Sequence, residues 1–146
     1  MEKFCVKNIL FIVIIVLIGV FMFNKEKWVD IKDKSNVLVI KNDKINFIIY
    51  GEKSSSNFKY ENNFDNTIKI TISSGPFEYL IKSIEKLGEE EIEIISGIMM
   101  EYDGRGPVVF NEFVKDKDYK KIPKDFRSDV CKKYNDVEPV KTYMAE

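Results

Sequence analysis

From Ile9 to Phe23 the chain is apolar at fifteen consecutive positions, with Lys3 and Lys7 before the run and Asn24, Lys25, Glu26 and Lys27 after it. A stretch that is apolar on every face is not the one-sided stripe of a surface helix. It predicts a membrane anchor or a secretion signal. At ~1.5 Å per residue the run covers ~22 Å, less than the ~30 Å of a bilayer core. Lys7 and Lys25 can extend it, because their long stems reach back towards water. The exit Phe21-Met22-Phe23-Asn24 offers no small-x-small pair for a signal peptidase. The reading carried forward is therefore an uncleaved single-pass anchor over residues 1–23, bounded by Ile9 and Phe23. Phe21, Phe23 and Trp28 are expected as an aromatic belt at the outer interface, and residues 24–35 as a juxtamembrane linker. A cleaved signal is the alternative. The lysines of the linker favour a cytoplasmic C-terminus, but a short basic N-terminus directly ahead of the run is the layout of a secretory signal, and the domain is expected outside the cytoplasm.

Beyond the linker the pattern becomes that of strands. Val37–Ile40 and Ile45–Tyr50 flank Asn42-Asp43, a pair suited to a tight hairpin. Pairing residue 41 with 44 puts Leu38, Ile40, Ile45, Phe47 and Ile49 on one apolar face, which fixes the register. Residues 51–66 read as a polar loop with an edge strand near 57–61. Thr67–Ser73 alternates with Ile68, Ile70 and Ile72 inward. Ser74-Gly75-Pro76 then resembles a helix start, and Phe77, Leu80, Ile81, Ile84 and Leu87 recur at helical spacing up to Gly88. Residues 89–102 suit either a strand or a helix; β-branched density and Gly97 favour a strand, with Gly97 at a bulge. Asp103-Gly104-Arg105-Gly106-Pro107 is a turn, 108–114 a strand, and Lys124–Tyr134 a short helix with Phe126, Val130 and Tyr134 on one face. The fold expected is α+β: an antiparallel sheet of about five strands with one packed helix and a short C-terminal helix, preceded by a single N-terminal transmembrane helix. It forms one domain over 36–134, with a flexible tail over 135–146.

Composition modifies this picture in two ways. The chain has 20 Ile against 5 Leu and 21 Lys against 2 Arg, the usage of an A/T-rich, expectedly bacterial, genome, so β-propensity carries less weight than usual. Formal net charge is −1 with both signs interleaved, which argues against nucleic acid as a partner. Histidine is absent, so no Ser-His-Asp triad, Cys-His pair or His-ligated zinc site can be built. Cys5 and Cys131 lie on opposite sides of the apolar run and cannot pair within one chain that spans a bilayer.

Few residues point to chemistry. Phe58, Tyr60 and Phe64, aromatic in a polar stretch, and Arg105 between two glycines are the candidate ligand or partner contacts. Each also has a plainer role, as a pin for a loop or as a hairpin turn. Glu85 with Glu89–Glu93 is an acidic cluster with no calcium-loop spacing. Cys131 lacks a histidine to activate it. No catalytic residue, metal ligand or cofactor is expected. The functional expectation is a membrane-anchored, non-enzymatic envelope domain that binds a protein or small ligand, in an accessory, sensory or immunity-type role. Its partners would be the bilayer, through the N-terminal helix, and an unidentified protein. The alternatives are an assembly subunit of a membrane complex, or an envelope enzyme using carboxylates such as Glu101, Asp103 or Glu112.

Overall fold

The structure is a computed structural model that describes residues 25–101 and 106–136. The anchor expected over 1–23, with Ile9 and Phe23, lies outside the described residues, as do Cys5, Asp103, Arg105 and the tail from 137. Among the described residues, no helix is long and apolar enough to cross a membrane.

Eight antiparallel strands close on one another in sequence order: β1 Glu26–Asp30, β2 Val37–Ile40, β3 Lys44–Ile49, β4 Glu52–Asn62, β5 Ile68–Ile72, β6 Tyr79–Leu87, β7 Glu90–Glu101 and β8 Gly106–Lys115. The last pairing, β1 with β8, sets Trp28 opposite Lys115 and Asp30 opposite Phe113. The expected α+β fold is thus replaced by an up-and-down barrel. Among the described residues a 3-10 turn, Asp116–Lys121, and one short α-helix, α1 (Asp129–Asn135), follow it.

An eight-stranded barrel has an interior just wide enough for side chains to fill, and here they do. Trp28, Leu38, Ile45, Phe47, Ile70, Leu80, Ile95 and Phe113 are all essentially inaccessible and form one cluster. The β2–β3 hairpin contributes its half of that cluster in the expected register, Leu38 opposite Phe47 and Ile40 opposite Ile45. Each mouth is closed differently. Where β1 begins, Glu93 lies 3.0 Å from Lys115 and 3.6 Å from Lys82, and both ammonium groups stand over the Trp28 ring at 5.7 and 5.8 Å. At the far end the buried Asp30 carboxylate accepts from Asn36 Nδ2 at 3.1 Å, Asn111 Nδ2 at 2.8 Å and the Lys32 amide at 2.9 Å.

The second helix expected, Phe77–Leu87, is a strand. Leu80 faces the interior, whereas Ile81 faces outward under α1, so both parities are apolar and the two-residue period disappears. Gly88, where the helical spacing was expected to end, instead turns a two-residue hairpin with Leu87 opposite Glu90, and its φ of +64° suits glycine. Phe77 does not start a helix either. It plugs the far end of the barrel, edge-on to Phe47 and Phe113 at 6.0 Å. The loop expected over 51–66 is mostly β4, paired from Lys44↔Asn57 to Ile49↔Glu52 on one side and with β5 on the other. The linker expected over 24–35 contains β1, and Trp28 lies in the barrel core rather than at a membrane interface. Strand β7 carries the expected irregularity, a register shift between Gly97 and Ile98.

The C-terminal stretch wraps the outer wall. Tyr119, Ile122 and Phe126 cover Val29, Ile92, Ile94 and Val114, while Val130 and Cys131 of α1 cover Ile81, Ile98 and Val109. Phe126 therefore lies outside the helix predicted to contain it. Ser128 caps α1, its Oγ accepting from the Cys131 amide at 3.0 Å. Asn135, placed in the tail by its sequence, accepts from the Val109 amide at 2.7 Å and donates back to its carbonyl at 2.9 Å.

Gly97 is the position where this packing is tightest. A Cβ there would lie 2.5 Å from the Phe77 ring, far inside van der Waals contact. Gly97→Ala should destabilise the chain by about 1–3 kcal/mol through overpacking, and Phe77→Leu added to it should recover part of that loss. Equal melting of Gly97→Ala and the parent chain in urea would show that Phe77 does not plug the barrel.

Candidate functional site

With the interior filled, the hollows lie on the surface. One of them, of about 600 Å³, is a groove on the outer wall near the end where β1 begins. Its floor is the outward face of β6, where Ile81, Ser83 and Glu85 share one side of the strand. One wall is α1, through Asp129, Val130, Lys133 and Tyr134. The other is the turn joining β4 to β5, Asn63 to Thr67, with Ile84 and Glu91 at the open end.

Each wall is held by identifiable bonds. Two carboxylates of the barrel accept amides from the start of α1: Glu85 Oε1 from Asp129 at 2.6 Å, and Glu112 Oε2 from Ser128 at 3.2 Å. They satisfy donors that a helix start leaves open. In the turn, Asp65 and Asn66 adopt φ of +56° and +60°, a left-handed geometry that Asp and Asn tolerate well. The Thr67 hydroxyl donates to the Phe64 carbonyl at 2.6 Å. This conformation turns Phe64 outward, 80% exposed at the rim. Lys133 bridges the groove to Asp65 at 2.9 Å. That pair is exposed on both sides, so it contributes at most about 1 kcal/mol and opens easily.

Ser83 is buried, and its hydroxyl has no hydrogen-bond partner. Leaving such a group unpaired costs roughly 1–3 kcal/mol. Thr71 and Ser96 also carry unpaired hydroxyls, but they do not line this groove.

The aromatic residues singled out by sequence do not converge. Phe58 packs against the interior cluster, and Tyr60 meets it edge-on at 5.2 Å at the mouth where β1 begins. They line a separate hollow of about 260 Å³ with Glu26, Ile40 and Lys82. Phe64 alone lies in the groove. The acidic cluster is dispersed as well: Glu93 is held by Lys115 and Lys82, Glu90 pairs with Lys121 at 3.0 Å, and Glu85 and Glu91 line the groove. Among the described residues, no group of His, Cys, Asp or Glu is placed to hold a metal ion. Cys131 is buried, and burial with the Glu112 carboxylate raises its thiol pKa against the pull of Arg127. Glu112 and Cys131 line a third hollow, of about 360 Å³, at the far end with Asp30, Asn111 and Arg127. Ser83, Asp129 and Lys133 were not singled out as site residues by the sequence, and Val130 and Tyr134 were expected only as the packed face of a short helix.

Burial raises the Glu85 pKa above its ordinary value; the Asp129 amide and Lys132 oppose this, and the charges of Asp129 and Glu112 add to it. A carboxyl whose pKa rises on folding disfavours the fold while ionised, and this cost disappears as pH falls through the raised value towards the ordinary one. Relative to Glu85→Gln, the parent chain should therefore gain stability on acidification towards the ordinary carboxylate range. Thermal melts of the two chains across that range check the sign, and a relative loss by the parent would contradict the assigned environment.

No protein-family model, no curated protein and no solved structure matches the chain.

Proposed function

We propose that the chain is a membrane-tethered, non-enzymatic binding barrel that presents its outer-wall groove to a ligand or protein partner. The observation that carries this reading is a filled interior beside an open groove of about 600 Å³ with an exposed aromatic at its rim. Ligand sites are concave and largely apolar with a few polar groups that fix orientation. Ile84, Phe64 and Tyr134 supply the first kind of surface here, and Asp129 and Lys133 the second. The tether is the apolar run Ile9–Phe23. Only Asn24 and Lys25 separate that run from β1, a reach of roughly 10 Å, so the groove end of the barrel would stand next to the bilayer. The carboxylate-enzyme alternative has one observation in its favour, the raised pKa of Glu85 beside Asp129. Glu85 is already engaged in docking α1, however, and Glu112 lines a different hollow.

The groove reading predicts where ligands act. Small amphipathic compounds titrated onto the isotope-labelled full chain in micelles should shift amide resonances of Phe64, Ser83, Val130 and Lys133. Shifts concentrated instead at Asn111 and Arg127 would move the binding site to the far-end hollow. Turnover that is abolished by Glu85→Gln with binding intact would replace the binding role with a catalytic one.

A further inference from the structure

On the tether reading, the end of the barrel where β1 begins faces the bilayer, and that end carries exposed apolar side chains. Tyr60, Ile68 and Ile84 continue the interior face of β4, β5 and β6 past the packed core. Tyr60 pairs with Ile70, Ile68 is two residues from Ile70, and Ile84 is four from Leu80. Ile68 lies opposite Lys82 and Ile84 opposite Glu93, so both stand at the level of the charged network that closes the mouth. All three are exposed, as is Phe64 in the turn between β4 and β5. The C-terminal wrap packs on the outer wall and leaves this lip exposed.

Lengths decide what meets the lip. Only Asn24 and Lys25 separate the run Ile9–Phe23 from β1, a reach of roughly 10 Å. The headgroup layer is ~5–8 Å deep on each side of a ~30 Å core, so the lip would fall at the lipid surface. That gap leaves no room for a folded partner, since one helix alone is ~10–12 Å across. Nor can the run spare residues to fold back onto the lip, because at ~22 Å it is already shorter than the core.

We infer that this lip docks on the bilayer: Tyr60, Phe64, Ile68 and Ile84 enter the boundary between headgroups and acyl chains, and the far end of the barrel is turned to solvent. Aromatic side chains favour that boundary, and apolar faces held there reach ~5–10 Å deep. Charge does not drive the contact. Lys41 and Lys44 at the β2–β3 turn are offset by Glu89, Glu90 and Glu91 at the β6–β7 turn, so a zwitterionic lipid is sufficient. Phe64 also stands at the rim of the groove, which therefore opens beside the lipid. The inference rests on the tether proposed above and adds a second membrane contact, made by the folded domain itself.

The test places matched tryptophans at the two ends of the full chain, in vesicles of phosphatidylcholine brominated on its acyl chains. Phe64→Trp and Phe110→Trp both replace exposed phenylalanines. The emission of Trp28 in the parent chain is subtracted, and it reports the fold. Brominated lipid should quench the added emission roughly threefold more in Phe64→Trp than in Phe110→Trp. A flexible Gly-Ser insertion of about twelve residues between Asn24 and Lys25 separates docking from mere nearness. Quenching in Phe64→Trp should survive that insertion and should fall when Ile68→Ser and Ile84→Ser are added to the lengthened chain. Loss of quenching on insertion alone would overturn the inference and leave the tether standing. So would quenching that the two serines do not change, or equal quenching at the two ends of the chain without the insertion. A reporter at position 64 that is blue-shifted but not quenched would mean a protein cover, which also overturns docking. Failure of the chain to float with the vesicles would overturn the tether, and the inference with it.

Discussion

The pairing of β1 with β8 is the constraint on which the rest depends. Without it the sheet would have two open edges, and open edges invite pairing with other chains. β1 is only five residues long, so backbone bonds alone hold it weakly. Trp28 supplies the remainder. It is wholly buried in the interior cluster, and an aromatic of that size removes ~150–250 Å² from water, roughly 4–6 kcal/mol at ~25 cal/mol per Å². The Lys82–Glu93–Lys115 network lies over the same ring and closes the mouth. Its charges come from β6, β7 and β8, so the end of the barrel is tied together across its last three strands as well as to β1. One feature runs against this stability: the Trp28 Nε1 donor is buried with no partner.

A filled barrel has its function on its outside. The outer wall is not uniform: the stretch after β8 covers β1, β7 and β8, and α1 covers parts of β6, β7 and β8. This cover ends at the groove, where β6 has no neighbour above it except α1 on one side and the Phe64 turn on the other. The groove thus follows from where the C-terminal wrap stops. Its two walls also differ in firmness. Glu85 and Glu112 fix α1 to the barrel through amides at the helix start, while the turn is joined to α1 by the exposed Lys133–Asp65 pair.

The β2–β3 hairpin was legible in the sequence because its inner face is apolar throughout, Leu38, Ile40, Ile45, Phe47 and Ile49, while Lys41, Lys44 and Asn46 interrupt the outer one. The bulge near Gly97 was legible from a glycine in a β-branched run. β6 was not, because a strand covered on both faces loses its alternation, and Leu80, Ile81 and Ile84 then happen to match helical spacing. Ile84 is in fact 63% exposed, which no helix packed on a sheet would allow at that position. β1 was missed for the opposite reason. Its inward positions are Glu26, Trp28 and Asp30, and two of those three are charged because they meet partners at the mouths. Such partners are distant in sequence: Asn111 is 81 residues from Asp30. The groove was hidden in the same way, since it unites a turn, a strand and a helix that share no local pattern. Phe64 was found by its composition context, Ser83 was not, and Phe58 and Tyr60 proved to belong to the barrel mouth.

The central claim is that the interior is closed to ligands and the outer wall receives them. Trp28 is the single tryptophan of the chain and reports on the interior, while Phe64→Trp places a second reporter at the groove rim. Heavy-atom quenching by 4-bromobenzylammonium, added to the native chain and to Phe64→Trp under the same conditions, compares the two locations directly. The account predicts a saturable loss of the added emission in Phe64→Trp and no saturable change in the native chain. Saturable quenching of Trp28 in the native chain, with the position-64 reporter unaffected, would place the ligand inside the barrel and contradict it.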